Sequence, residues 1–217
     1  MKVIAFNGSP RKEWNTATLL NSALDGAASR GAEGELVHLY DLDYKGCTSC
    51  FTCKLKGGKS YGRCGMQDGL TPFLRKIESA DVILLGSPVY LGGATGQMHS
   101  LMERLVFPFL AYTDPPTSIF PGKAHVGIIY TFGAPEDMAV QRGWDRSLSD
   151  TGAFMQRIIG PAETLLVYDT LQFDDYAKYE ASRFDPAQKA ARRREVFPQD
   201  CRKAFELGIR LVQHETR

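Results

Sequence analysis

Five short, nearly continuous apolar runs punctuate the chain, at Lys2–Phe6, Glu35–Tyr40, Asp81–Gly86, Ala124–Tyr130 and Glu163–Asp169. They are rich in Val, Ile and Leu and lack strict polar alternation, as strands covered on both faces do. Between them the apolar positions recur at helical spacing. Helices are predicted over Thr16–Ser29, Leu70–Ser79, Thr95–Leu105, Leu148–Ile158 and Pro186–His214; in the first, Thr16, Leu19, Leu20, Ala23 and Ala27 form one stripe. Strand–helix alternation repeated five times predicts an α/β fold of three layers around a parallel sheet. The 217 residues fit a single domain spanning 1–217, in which the aromatic tract and last helix of 170–217 extend a minimal core.

Composition narrows the partners. The net charge of +1 leaves no global footprint for nucleic acid or an anionic membrane. No apolar run approaches a membrane span, and the opening Met1–Phe6 is too short for a signal peptide. A cytoplasmic address is expected. The basic run Lys189–Arg194 sits on a predicted helix and is expected to be a solvated face.

Chemistry enters where the first strand ends. Asn7-Gly8-Ser9-Pro10-Arg11-Lys12-Glu13-Trp14-Asn15-Thr16 leads into the first helix. Gly8 permits a tight turn, Ser9, Asn15 and Thr16 offer side-chain donors, and Arg11 adds a charge-assisted bond. The helix start supplies free amides and its dipole, so a phosphate is the expected occupant; a plain helix cap needs only one such residue. The G-x-G-x-x-G fingerprint of dinucleotide sites is absent. Gly58-Lys59-Ser60 is no P-loop, because Cys53 stands at the first glycine position and no strand precedes it.

Gly-Ser-Pro-Arg…Asn-Thr resembles the phosphate loop of the flavodoxin-like NADPH-dependent FMN reductases. The resemblance continues through Gly86-Ser87-Pro88-Val89-Tyr90-Leu91-Gly92-Gly93, similar to that family's ring-binding turn, and through Thr131-Phe132-Gly133-Ala134 as a third flavin-facing loop. It implies a flavodoxin-like sandwich with sheet order 2-1-3-4-5. It also implies FMN held by Ser9, Arg11, Asn15, Thr16 and Ala17 at the phosphate and by Pro88, Val89, Tyr90, Leu91, Gly92 and Gly133 at the ring. Glu13-Trp14 departs from the Asn-Gly common there; Trp14 is expected to close over the phosphate or to pack on a neighbouring subunit.

Four of the five cysteines fall in one stretch after the second strand: Cys47, Cys50 and Cys53 at C-x-x-C-x-x-C spacing, then Cys64. In a reducing compartment such a cluster points to metal or redox chemistry before disulfides. It resembles the four-cysteine motif of the iron–sulfur flavoproteins, a branch of the same family that carries a [4Fe–4S] cluster, although the gap before Cys64 is longer than usual there. A cluster, a Cys₄ zinc site and free or reversibly oxidised thiols all stay open on these residues. Cys201 is expected in the core. The basic residues Lys54, Lys56, Lys59 and Arg63 of the insert are expected to be solvated. The aromatic tract Thr170–Phe197 is expected to pack across a subunit boundary or on its own chain. The activity implied is electron transfer from NAD(P)H through FMN to a small-molecule or protein acceptor, in a homodimer or homotetramer. The rival from another class is a non-enzymatic flavin and iron–sulfur electron carrier.

Overall fold

The computed structural model describes residues 1–213; the predicted helix end at His214 lies outside them. Eight strands form in chain order: β1 (Lys2–Asn7), β2 (Glu33–His38), β3 (Val82–Tyr90), β4 (Gly93–Ala94), β5 (Leu110–Ala111), β6 (Thr117–Ser118), β7 (His125–Thr131) and β8 (Ala162–Val167). The helices are α1 (Asn15–Ala28), α2 (Thr71–Ile77), α3 (Gly96–Val106), α4 (Glu136–Gln141), α5 (Trp144–Ile158), α6 (Pro186–Glu195) and α7 (Phe197–Gln213). The main sheet runs β2-β1-β3-β7-β8, all parallel, which is the expected 2-1-3-4-5 order of the five principal strands. The fold is flavodoxin-like.

Alternate strand residues feed two cores, as the period of two requires. Ile4, Phe6, Ile83, Leu85, Val126 and Ile128 join side chains of α3 and α5 in one. Val3, Ala5, Val82, Leu84 and Ile129 face α1 and α7 in the other. Helices α1 and α7 approach until their backbones nearly touch: a Cβ at Gly26 would fall 2.0 Å from the Phe205 carbonyl oxygen, and one at Gly208 would fall 1.9 Å from that of Ala23. Among the described residues no helix is long and apolar enough to cross a membrane.

Several boundaries differ from expectation, among them the start of α5 at Trp144 rather than Leu148 and the end of α2 at Ile77 rather than Ser79. The second strand gives way at Leu39 to a 3-10 turn. The third runs on past Gly86 to Tyr90, because β4 folds back antiparallel on it, pairing Val89 with Ala94 and Tyr90 with Gly93. Its two-residue turn puts Leu91 at φ 53° and Gly92 at φ 83°, the left-handed pair typical of tight hairpins. The last helix breaks at Val196, because Pro198 has no N–H to continue the ladder and instead sits in the first turn of a new helix.

Candidate functional site

A cleft of about 270 Å³ opens at the carboxyl ends of β1, β3 and β7. In an open α/β sheet this is where the strand order reverses and ligands bind. The loop after β1 brings Ser9, Arg11, Asn15 and Thr16 to it, the β3–β4 hairpin brings Pro88, Val89, Tyr90, Leu91 and Gly92, and the loop after β7 brings Gly133. Of the residues expected there, only the Ala17 side chain does not line the wall. It points into the core beneath α1 and is fully buried, so what Ala17 can offer is its backbone amide.

The first loop is rigid before any ligand arrives. Asn7 Oδ1 accepts the Ser9 amide at 3.0 Å, and Ser9 Oγ accepts the Arg11 amide at 3.1 Å. The Gly8 amide donates to the Gly86 carbonyl at 2.7 Å, and Thr95 Oγ1 donates to the Gly8 carbonyl at 2.7 Å. Among the described residues no side chain caps α1, and its first helical bond runs from the Thr18 amide to the Trp14 carbonyl. The amides of Asn15, Thr16 and Ala17 therefore have no helical acceptor. The Thr16 and Thr131 hydroxyls meet at 2.9 Å, tying the first loop to the third.

The segment after β8 forms a strap across this loop. The Leu171 carbonyl accepts from Trp14 Nε1 at 2.9 Å and from Asn15 Nδ2 at 2.8 Å, while the Arg11 guanidinium donates to the Gln172 carbonyl. The aromatic tract thus packs on its own chain, with Phe173 stacked on Tyr179 at 4.2 Å and Tyr176 edge-on to Phe173 and Phe184. Gln172, Arg183 and Phe184 from the strap, with Met138 and Trp144 from α4 and α5, complete the cleft wall. Gln172 and Phe184 belong to the aromatic tract marked out in the sequence, whereas Met138, Trp144 and Arg183 carry no sequence signal for this place. Trp144 packs so closely on the hairpin that a Cβ at Gly92 would sit 2.5 Å from its Nε1.

The basic run on α6 is not a solvated face. Lys189 is 4% exposed, pairs with Asp169 and donates to the Gly133 carbonyl at 2.8 Å. Arg193 donates to Asn15 Oδ1 at 2.8 Å, and Arg192 pairs with Asp200 at 2.7 Å. Only Arg194 of the four stays outward, beside Glu195. Lys189 and Arg193 serve acceptors of the cleft loops, the Gly133 carbonyl and Asn15 Oδ1, and Arg192 serves Asp200 on α7.

The cysteine stretch folds into a second, smaller hollow. Cys47, Cys50, Cys53 and Cys64 all line it, together with Glu103, Arg104 and Phe107. Ser49 at φ 53° and Phe51 at φ 55° flank Cys50, and left-handed backbone at non-glycine residues concentrates at functional loops. Glu103 Oε2 accepts the Cys47 amide at 2.9 Å, and Arg104 Nε donates to Cys64 Sγ at 3.3 Å. Hydrogen bonds from Thr52 lower the pKa of exposed Cys50, whereas burial raises that of Cys53. None of the five cysteines is in a disulfide, and Cys201 packs partly buried against the α1–α7 core. Of the basic insert, Lys54 is not solvated: its ammonium donates to the Phe107 and Leu110 carbonyls and lies 4.4 Å over the Phe107 ring. Arg63 forms a fork with Glu78, at 2.9 and 2.6 Å.

A family model described as NADPH-dependent FMN reductase matches residues 1–154. The chain belongs to that family. Among curated proteins it is similar to an iron–sulfur flavoprotein of Methanocaldococcus jannaschii, 42% identical over 104 residues that are 48% of this chain and 51% of that one. It is also similar to an iron–sulfur flavoprotein of Archaeoglobus fulgidus, 32% identical over 64% of this chain and 59% of the relative. The chain spans about half the length of the curated relatives it matches. Among solved structures, an NAD(P)H:quinone oxidoreductase from Methanothermobacter marburgensis shares the fold with a TM-score of 0.72 at 12% identity, covering 97% of this chain and 98% of that one.

As an FMN reductase family member, the chain has a cleft whose donors fit the cofactor. Three first-turn amides and the Ser9 and Thr16 hydroxyls offer a phosphate its bonds, and the hairpin and Trp144 offer a flat apolar wall. The cysteine hollow offers the donor set of a metal or cluster site, because four thiols line one space, although among the described residues no three metal-ligating side chains close around one point.

Proposed function

We propose that this chain binds FMN in the cleft and uses it to pass electrons from NAD(P)H to an acceptor, with Cys47, Cys50, Cys53 and Cys64 holding a [4Fe–4S] cluster. The observation that carries this reading is the uncapped start of α1 at the strand-order reversal, ringed by two further loops of the same family pattern. The amides of Asn15, Thr16 and Ala17 and the hydroxyls of Ser9 and Thr16 hold the phosphate. Arg11 adds charge, although its guanidinium also serves the strap. Pro88 to Gly92 and Gly133 border the ring. Bound FMN would supply the hydride-accepting and electron-transferring chemistry, and these residues would hold and orient it. Leu91 is fully exposed at the hairpin tip and Tyr90 half exposed, which leaves the outer face of the cleft open to a nicotinamide. The whole span 1–217 acts as one FMN-binding unit, in a homodimer or homotetramer, and a reducing cytoplasm suits cysteines kept as cluster ligands.

A second reading, electron carriage between protein partners, is favoured by the exposure of Cys47 and Cys50. Rapid mixing with NADPH and with NADH separates the two: an oxidoreductase bleaches its flavin absorbance within the turnover range, and a carrier does not. Protein purified without oxygen is expected to contain FMN, iron and acid-labile sulfide. Failure to retain or rebind FMN overturns the cleft assignment, and iron near zero beside intact flavin overturns the cluster.

A further inference from the structure

Arg104, on the last turn of α3, is among the largest fully buried side chains of the protein. A guanidinium is rarely buried unless every donor has a use. Here each does. Nε donates to Cys64 Sγ at 3.3 Å, one terminal nitrogen donates to the Lys45 carbonyl at 3.0 Å and to Asp68 Oδ2, and the other donates to Asp68 Oδ1 at 3.1 Å. Asp68 is itself held by the Leu70 amide at 3.1 Å. One cation therefore grips the chain just before the cysteine loop, the fourth cysteine of that loop, and the segment after it.

We infer that Arg104 is a positioning residue for the sulfur site: it fixes Cys64 toward the hollow and raises the reduction potential of whatever redox centre the four thiolates hold. The second half rests on the cluster reading above. A buried positive charge that donates to a ligand sulfur stabilises the more negative, reduced state, and hydrogen bonds to cluster sulfurs set potential in this direction. The Asp68 carboxylate offsets part of that charge but sits on the far side of the fork, so the donor nearest sulfur stays effective. A residue that merely packs the loop has no such directional effect.

The test pairs two variants. Arg104→Gln with Asp68→Asn removes the whole ion pair and leaves no unpaired buried charge. Asp68→Asn alone keeps the donor to Cys64. Anaerobically purified proteins are compared by iron and sulfide content, by flavin absorbance as the control for folding, and by redox titration of the cluster. The expected result is a cluster about tenfold harder to reduce in the double variant, about 59 mV lower for one electron, with FMN retained. The single variant should shift upward or not at all. A loaded double variant with the wild-type potential overturns the inference and leaves the cluster reading standing. Wild-type protein with flavin but without iron overturns both. A double variant that keeps FMN but takes up no iron supports the positioning half, and equal loss of iron in the single variant overturns it, assigning the effect to the ion pair.

Discussion

Removing Lys189 tests whether α6 is a structural clamp on the cleft. The side chain is buried, its ammonium pairs with Asp169, and it donates to the Gly133 carbonyl at 2.8 Å. Lys189→Met preserves length and packing but leaves that carbonyl and that carboxylate without their donor. Breaking a buried pair from one side costs about 3–5 kcal/mol. Asp169 keeps 27% of its side chain exposed, so water recovers part of the loss and the low end applies, about 3 kcal/mol. For a chain of this size that is a fall of about 6–12 °C in Tm. Urea unfolding followed by tryptophan fluorescence should show a lower midpoint with an unchanged slope.

Asp169→Asn in the Lys189→Met background should then restore about 2 kcal/mol, because a neutral amide costs less than an orphaned carboxylate. Asn also suits the left-handed φ of 54° at that position. A single variant within about 1 kcal/mol of wild type, or a double variant that recovers nothing, refutes the clamp and returns α6 to a solvated helix. The same single variant should bind FMN more weakly, since Gly133 borders the cleft.

Gly92→Ala forces a side chain into a left-handed turn and onto Trp144, so it should destabilise by about 1–2 kcal/mol and weaken FMN binding, read by quenching of flavin fluorescence. Asn15→Ala removes the bonds to Leu171 and from Arg193; loosening the strap should lower FMN affinity about tenfold, roughly one net hydrogen bond to a charged group, as measured by the same titration. Burial raises the Asp68 carboxyl, but the Arg104 bonds and charge and the Leu70 amide outweigh it and hold the pKa below its ordinary value. A depressed folded pKa contributes stability above the unfolded value of about 3.9, lost as pH falls through the folded one. The urea midpoints of wild type and Asp68→Asn should therefore differ most near neutrality and converge in acid; a gap independent of pH refutes the assignment.

What the amino-acid pattern made legible was local. Five apolar runs and their intervening stripes define the sheet, and each cleft loop is chemistry packed into a few residues at a strand end, as in Gly8-Ser9-Pro10-Arg11. What stayed hidden was pairing across long sequence distances. Lys189 reaches Gly133 across 56 positions, Arg193 reaches Asn15 across 178, and Arg104 reaches Asp68 across 36. A basic residue on a helix carries no mark of which way it faces unless the apolar stripe decides it, and α6 has little stripe: Lys189 is its buried residue. The strap was hidden for a related reason, since its bonds to Trp14 and Asn15 come from backbone carbonyls that any residue could supply.

Helix α3 joins the two sites that these pairings build. At its start Thr95 accepts the Met98 amide as the cap and donates to the Gly8 carbonyl, so the helix is anchored to the phosphate loop. At its end Glu103 and Arg104 hold Cys47 and Cys64. Nine residues of helical rise set these ends about 14 Å apart. Loops joined by a helix whose ends are both tied cannot drift independently, so the cysteine hollow stands in a fixed relation to the cleft although neither end of its own loop lies in regular structure. If the hollow holds the proposed cluster, the hydrogen bonds at both ends of this one short helix fix its place relative to the flavin cleft.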